Sequence, residues 1–175
     1  MKKLSYLIVL IFSASILLAA CRVSFNTTGV PKIGGTSGIV LETLYVDQFI
    51  NEAPIVVPYL APEMTIQLQD RFLNQSKLSL TDPPADVELG GSITRYDVAP
   101  IAITGTTSAE QNRLSISVRV SFKNNKDENA SWEQTFSGFV DFDASEDFTS
   151  VEEEKINEIL EQIPQDIFTK SLGKW

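Results

Sequence analysis

Cys21 is the single cysteine of this 175-residue chain, and the chain contains no histidine. A disulfide requires a second cysteine, and a structural zinc site usually requires several Cys or His ligands. Without histidine, neither a Ser-His-Asp triad nor a Cys-His pair can form. A phosphate-binding G-x-x-x-x-G-K motif is also missing from the sequence. The chemistry left to Cys21 is therefore modification of its own sulfur.

A second group that could do chemistry is the acidic segment VDFDASEDF, which contains Asp141, Asp143, Glu146 and Asp147. Alternating carboxylates could bind a hard cation such as Ca²⁺ or act as the acid and base of a hydrolase. The spacing fits no EF-hand loop, and a solvated strand end followed by a turn before a helix explains the same residues. We therefore expect no metal, no cofactor and no enzymatic activity.

The residues before Cys21 have the layout of a secretory signal peptide. Lys2 and Lys3 are followed by the apolar run 4–18, which is shorter than the roughly 20 residues that a membrane-spanning helix needs. The sequence Leu18-Ala19-Ala20-Cys21 resembles the lipobox of bacterial lipoproteins. That resemblance implies processing after Ala20, lipidation of Cys21 by palmitate-like chains, and stable membrane anchoring, because several acyl chains hold a protein where one does not.

This interpretation divides the chain into a signal peptide at 1–20, a lipidated tether at 21–38 that is rich in Gly, Ser and Thr, and one domain at 39–175. Residues 1–20 contain two lysines and no acidic residue, so the mature chain has 12 basic and 23 acidic residues and a net charge of −11. Such a domain is poorly suited to nucleic acid, whose phosphates are bound mainly by Lys and Arg.

Hydrophobic periodicity predicts the elements that follow the tether. A β-branched and aromatic run predicts a strand at about 39–49, and an apolar stripe with a spacing of four residues predicts a helix at about 60–76. That stripe consists of Met64, Leu68 and Phe72, with Leu73 beside it and Ile66 off it. The next strand covers 86–98, and its apolar parity changes, which suits a bulge or a close approach at Gly90 and Gly91.

The clearest pattern in the chain is the alternation in LSISVRVSF, which predicts a half-buried strand at 114–122 that pairs with 131–142 as a hairpin. The final helix has a capping-box spacing between Ser150 and Glu153. Pro164 lies within its apolar pattern and is expected to kink or split it. The apolar positions of that helix are Ile156, Ile159, Leu160, Ile163 and Ile167.

The predicted order is therefore β-α-β-β-β-α. Apolar stripes on two helices and one apolar sheet face must cover each other, which gives an α/β (α+β) two-layer sandwich. We expect a four-stranded mixed sheet with both helices packed on one face. The first two strands are expected to be parallel, because a right-handed crossover joins them.

With this order established, the chain resembles the LptE family in the form found in Bacteroidota-type bacteria. The resemblance extends from LAAC through NEAPIVVPYLAPEMTIQLQDRFLNQSKLSL, GSITRYDVAPIAIT, NRLSISVRVSFKN and FSGFVDFD to SVEEEKINEILEQIPQDIF. It implies a non-enzymatic lipoprotein on the periplasmic side of the outer membrane. Such a protein plugs and helps assemble the LptD-type β-barrel in lipopolysaccharide transport to the cell surface.

The resemblance also raises the question of lipopolysaccharide contact, for which Arg95, Arg113 and Arg119 are the candidates. A net charge of −11 fits poorly with a direct grip on an anionic lipid. Two other functions stay open at this point. One is a freestanding lipid- or glycan-binding periplasmic lipoprotein, which would need a concave apolar pocket. The other is a hydrolase, which would need converging carboxylates such as Asp141 and Asp143.

Overall fold

The computed structural model describes residues 40–101 and 110–173, which lie within one compact unit. Two helices pack on one face of a mixed sheet, so the predicted fold class is confirmed. The sheet has six strands instead of the expected four. The strands are β1 Thr43–Val46, β2 Ile50–Asn51, β3 Ser79–Leu80, β4 Val87–Ile101, β5 Gln111–Asn124 and β6 Trp132–Asp143. The helices are α1 Leu60–Gln75 and α2 Phe148–Leu172.

The strand order is β3-β1-β4-β5-β6, and β2 also pairs with β4. The two extra strands have simple origins. The predicted first strand, at about 39–49, is shortened to Thr43–Val46, and the chain pairs with β4 again as β2, just beyond the predicted end. Residues 79–80, which follow α1, add β3 as a short edge strand parallel to β1. The predicted parallel pairing of the first strand with β4 and the antiparallel hairpin of β5 and β6 are both present.

The core lies between the helices and one face of the sheet. Alternate residues of β5, from Leu114 to Phe122, are at most 2% exposed. The predicted apolar face of α2, from Ile156 to Ile167, is buried against β5 and β6. Helix α1 buries Met64, Leu68 and Phe72 completely, as its stripe predicts. Leu73, which the pattern places beside that stripe, is 37% exposed instead.

The bulge in β4 lies three residues after the predicted position. The register with β5 shifts between Ile93, opposite Val118, and Arg95, opposite Ser117, so Thr94 is the extra residue. This shift moves Tyr96 onto the buried face. Gly91 shows the other predicted feature, a close approach, because a Cβ there would lie 2.2 Å from the carbonyl oxygen of Arg119 and 2.7 Å from Cε1 of Phe49. The glycine therefore permits a close backbone approach.

Replacing Gly91 by alanine is expected to destabilise the domain by about 1–3 kcal/mol, because backbone atoms of β5 must move to admit the methyl group. The neighbouring Gly90→Ala variant is the control. Its added Cβ would find its nearest neighbour, Cβ of Asp47, at 3.5 Å. Urea unfolding of the two variants measures the difference, and equal midpoints would contradict the proposed close approach.

Helix α2 begins earlier than its capping-box spacing predicts. Asp147 is the N-cap: its side chain accepts hydrogen bonds from the Thr149 amide and the Ser150 hydroxyl. Asp147 takes the N-cap position instead of Ser150 because its carboxylate is a strong cap that suits the positive end of the helix dipole. The helix is also not split at Pro164, since Phe148–Leu172 is continuous and Pro164 is buried within it.

Asp86 holds the start of β4 against the start of β1. Its Oδ2 accepts hydrogen bonds from the amides of Glu42 at 2.8 Å and Thr43 at 3.2 Å, and it forms an ion pair with Lys126 at 3.0 Å. Partial burial alone would raise the pKa of this carboxyl. The hydrogen bonds from Glu42, Lys126 and Thr43 outweigh that effect and hold the pKa below its usual value.

Asp86→Ala is expected to lower the free energy of unfolding by about 1–3 kcal/mol at pH 7, because two amides lose their acceptor. A carboxyl with a lowered folded-state pKa stabilises above its unfolded pKa of about 4 and loses that effect as pH falls through the folded value. The difference from the parent protein should therefore shrink below about pH 4. Unfolding measured from pH 7 to pH 3 tests this, with the exposed Asp82→Ala as control.

Candidate interaction face

The side of the sheet opposite the helices carries mostly polar side chains. We call it the polar face and define it by outward-pointing residues of β4, β5 and β6. These residues are Arg95, Asp97, Arg113, Ser115, Ser117, Arg119, Ser121, Glu133, Thr135, Ser137, Phe139 and Asp141. Alternation along each strand produces this surface, because every second residue points away from the core.

The structure brings the three predicted arginines together on the polar face, and each of them is next to a carboxylate. Arg95 contacts Asp97 at 2.8 Å, and Arg119 lies 3.9 Å from Glu133. Arg113 forms a bidentate pair with Asp141, with distances of 2.6 Å from Nε to Oδ1 and 2.8 Å from the terminal nitrogen to Oδ2.

The most ordered part of the polar face is the cluster of Arg113, Asp141 and Phe139. The guanidinium carbon of Arg113 lies 4.0 Å from the ring centroid of Phe139, a distance suited to a cation–π contact. Hydrogen bonds from Arg113 lower the pKa of Asp141, and the same bonds raise the pKa of Arg113. Both groups therefore stay charged near neutral pH. The pair holds the guanidinium over the ring of Phe139, a residue that is 55% exposed.

Phe139 is the residue of this face that sequence analysis missed. The signal was visible, because Phe139 occupies the outward parity of β6, between Ser137 and Asp141. A large aromatic side chain on an otherwise polar strand face is typical of an interaction anchor.

Three of the four acidic candidates, Asp141, Asp143 and Asp147, have structural partners. Asp143 accepts hydrogen bonds from the amide and the hydroxyl of Ser145, and these bonds lower its pKa. Asp147 caps α2, and Asp141 is paired with Arg113. Within residues 40–101 and 110–173, no three side chains of the metal-binding types Asp, Glu, Cys or His are grouped to hold a cation. These three carboxylates therefore stabilise a turn, a helix end and the polar face.

Tyr96 and Glu152 form a further contact that the sequence did not suggest. The hydroxyl of Tyr96 donates a hydrogen bond to Oε1 of Glu152 at 2.5 Å and joins β4 to the start of α2. Burial, together with this acidic partner, raises the pKa of Tyr96, so the hydroxyl remains a donor across the physiological range.

The predicted lipidation site Cys21 and the processing residues Leu18, Ala19 and Ala20 lie outside the described residues. Neither described helix is long and apolar enough to span a bilayer.

Comparison with known families decides the broader identity of the chain. A family model described as "LptE: Lipopolysaccharide-assembly" matches residues 41–171, which include the whole sheet, helix α1 and all but the last residue of α2. The chain belongs to the LptE family. The LptE family is a non-enzymatic family of lipopolysaccharide-assembly lipoproteins that are associated with the outer membrane. No curated protein sequence matches the chain significantly.

Solved structures show the same fold at low sequence identity. A minor lipoprotein from Acinetobacter baumannii is 10% identical with a TM-score of 0.52, covering 77% of this chain and 95% of that chain. A Helicobacter pylori protein described as a neuraminyllactose-binding hemagglutinin homologue is 16% identical with a TM-score of 0.55, covering 77% and 84%. A Xanthomonas campestris protein is 13% identical with a TM-score of 0.51, covering 77% and 86%. At these low identities, the similarities establish only that this LptE-family chain shares the fold of those proteins.

Proposed function

We propose that this LptE-family chain is the lipoprotein subunit of a lipopolysaccharide translocon, anchored through Cys21 on the periplasmic side of the outer membrane. In this role it occupies the lumen of an LptD-type β-barrel and helps that barrel assemble. It performs no catalysis and needs no cofactor. Processing after Leu18-Ala19-Ala20 and lipidation of Cys21 supply the anchor.

The observation that carries this proposal is the polar face. Barrel lumens are lined by polar side chains, so a plug must present polar groups that do not leave an unpaired charge in the interface. The charges of this face are already paired within the domain, as in the Arg113–Asp141 pair. Such a face can pack against a polar wall at little electrostatic cost, and Phe139 adds an apolar anchor.

Direct contact of Arg95, Arg113 and Arg119 with lipopolysaccharide remains a prediction. Phosphate groups are bound best by clustered Lys and Arg side chains whose hydrogen-bond donors are free. Here the nearest carboxylates already compete for those donors. We therefore propose that the polar face binds the protein partner and not the lipid.

A freestanding lipid- or glycan-binding lipoprotein is less well supported, because such a protein needs a concave apolar pocket. One surface hollow, with a volume of about 360 Å³, lies at the β3 edge of the sheet and has a mixed lining of polar and apolar residues. Another, with a volume of about 510 Å³, lies along α2, and its lining is strongly acidic. The latter is lined by Ser150, Glu153, Glu154, Asn157, Glu158 and Glu161. An acidic hollow of this kind would repel an anionic lipid.

Phe139→Glu is expected to reduce the amount of barrel that copurifies with the lipoprotein by at least about fivefold, without changing its thermal midpoint. The substitution removes an exposed anchor and places an unpaired charge in the interface. Ile66→Glu is the matched control. Ile66 is 50% exposed, close to the 55% of Phe139, and lies on α1 instead of the sheet.

Copurification from outer membranes in mild detergent measures the effect. Full recovery of the barrel with Phe139→Glu and loss with Ile66→Glu would move the interface to α1. Recovery of the parent lipoprotein without any barrel would contradict the plug function and favour the freestanding alternative.

A further inference from the structure

The two edges of the sheet are protected very differently. On one side, β3 is only two residues long, and Pro83 and Pro84 follow it closely. On the other side, β6 is twelve residues long and pairs with β5 without any break in register. It contains neither proline nor lysine, the residues that commonly protect an edge strand. Within the described ranges, no strand pairs with its outer side.

The hydrogen-bond pattern identifies which backbone groups of β6 face outward. The amide of Ala144 donates to the carbonyl of Glu110 at 3.0 Å, one step beyond the Gln111–Asp143 pair. Backbone groups of an antiparallel strand alternate between its two neighbours. Even-numbered residues of β6 therefore bond to β5, and odd-numbered residues such as Thr135 and Ser137 direct their N–H and C=O groups outward.

Side chains along β6 are also incompletely covered on its helix side. Val140 and Trp132 belong to the inward parity but are only partly buried. A strand placed beside β6 would therefore cover apolar side-chain surface as well as backbone groups.

We propose that β6 accepts an extended segment of the barrel partner as an additional strand. This inference rests on the proposed function, because that function supplies the partner. The segment uses its main chain to pair with the outward backbone groups of β6. Its apolar side chains cover Val140.

Charge selects this occupant over a second copy of the chain. The outward row of β6 contains Glu133, Asp141 and Asp143 and no basic residue. Two β6 strands paired antiparallel about Gly138 would place Glu133 opposite Asp143, which is a repulsive pair. A partner segment with a lysine, arginine or hydroxyl side chain opposite Asp143 complements this strand, because Glu133 and Asp141 already lie beside Arg119 and Arg113.

The test removes one outward N–H and leaves the fold intact. Thr135→Pro deletes a donor that β5 does not use, and edge strands tolerate proline. Thr135→Val is the matched control, because it removes the hydroxyl but keeps the amide. In the lipidated full-length chain, we expect Thr135→Pro to lower the copurified barrel at least about tenfold further than Thr135→Val, which changes the same polar-face side chain but keeps the amide. Both thermal midpoints should stay close to the parent value.

Hydrogen exchange provides a second readout that does not depend on a substitution. In the parent complex, amides of odd-numbered residues in β6 should exchange at least about a hundredfold more slowly than in the released lipoprotein. Amides of β5 should exchange equally in both states. Equal barrel recovery with proline and valine, or unchanged exchange in β6, would overturn the strand proposal and leave the plug function standing. Loss of a self-associated form with Thr135→Pro would assign the edge to a second copy instead.

Discussion

Replacing Val118 by aspartate is expected to unfold the domain. Val118 is fully buried at the centre of β5, opposite Ile93 on one side and Phe136 on the other. A carboxylate there would be surrounded by apolar side chains, and the expected cost exceeds about 4 kcal/mol, a large part of the total stability of an ordinary domain. Circular dichroism and thermal unfolding would show loss of the cooperative transition near neutral pH.

The adjacent Ser117→Asp variant is the control for this prediction. Ser117 points to the polar face, where its hydroxyl lies 2.9 Å from that of Ser137. A charge at this position remains hydrated, so the variant should fold and lose no more than about 1 kcal/mol. A Val118→Asp protein that melts like the parent would mean that the two faces of β5 are assigned the wrong way round.

Replacing Cys21 by alanine is expected to shift the protein almost completely out of the processed, lipid-modified pool. The variant lacks the thiol that we propose accepts the lipid, and each buried methylene of an acyl chain contributes about 0.8 kcal/mol to membrane binding. A parent protein with two or three acyl chains is therefore held firmly on the membrane, whereas the Cys21→Ala protein is released or left unprocessed. Membrane fractionation and intact mass would measure both effects.

Ser24→Ala is the control, because it lies just beyond the LAAC motif and keeps the thiol. It should be processed and anchored like the parent. Unchanged membrane association of Cys21→Ala, together with no lipid on the parent protein, would contradict the lipoprotein anchor at this residue.

Most of the fold could be predicted from periodicity alone. The alternation from Leu114 to Phe122 and the apolar stripe of α2 each correspond to a buried face, because burial of those residues is what stabilises the element. Local details were predicted less well. The start of α2 was set by competition between Asp147 and Ser150 as caps, and both residues are good caps.

Tertiary contacts explain the other differences. Of the two features predicted at Gly90 and Gly91, the close approach is found at Gly91, where the backbone meets Arg119, and the bulge lies at Thr94. Strands β2 and β3 consist of two residues each, too short for any pattern to predict. Their pairing depends on where α1 returns the chain to the sheet.

The candidate site was predicted only in part. Arg95, Arg113 and Arg119 were selected as basic residues, and the register of β4 and β5 brings them to one face. Their carboxylate partners depend on that register and could not be inferred from composition. Phe139 was overlooked because its significance depends on which face of β6 the helices leave open. The free edge of β6 is likewise a property of strand order.

The most direct test of the proposed function is a pull-down of the lipidated full-length protein from its own outer membrane in mild detergent, with the partners identified by mass. A plug predicts recovery of a large β-barrel protein in near-stoichiometric amount. Recovery of the lipoprotein alone, from membranes that contain the barrel, would contradict the plug function.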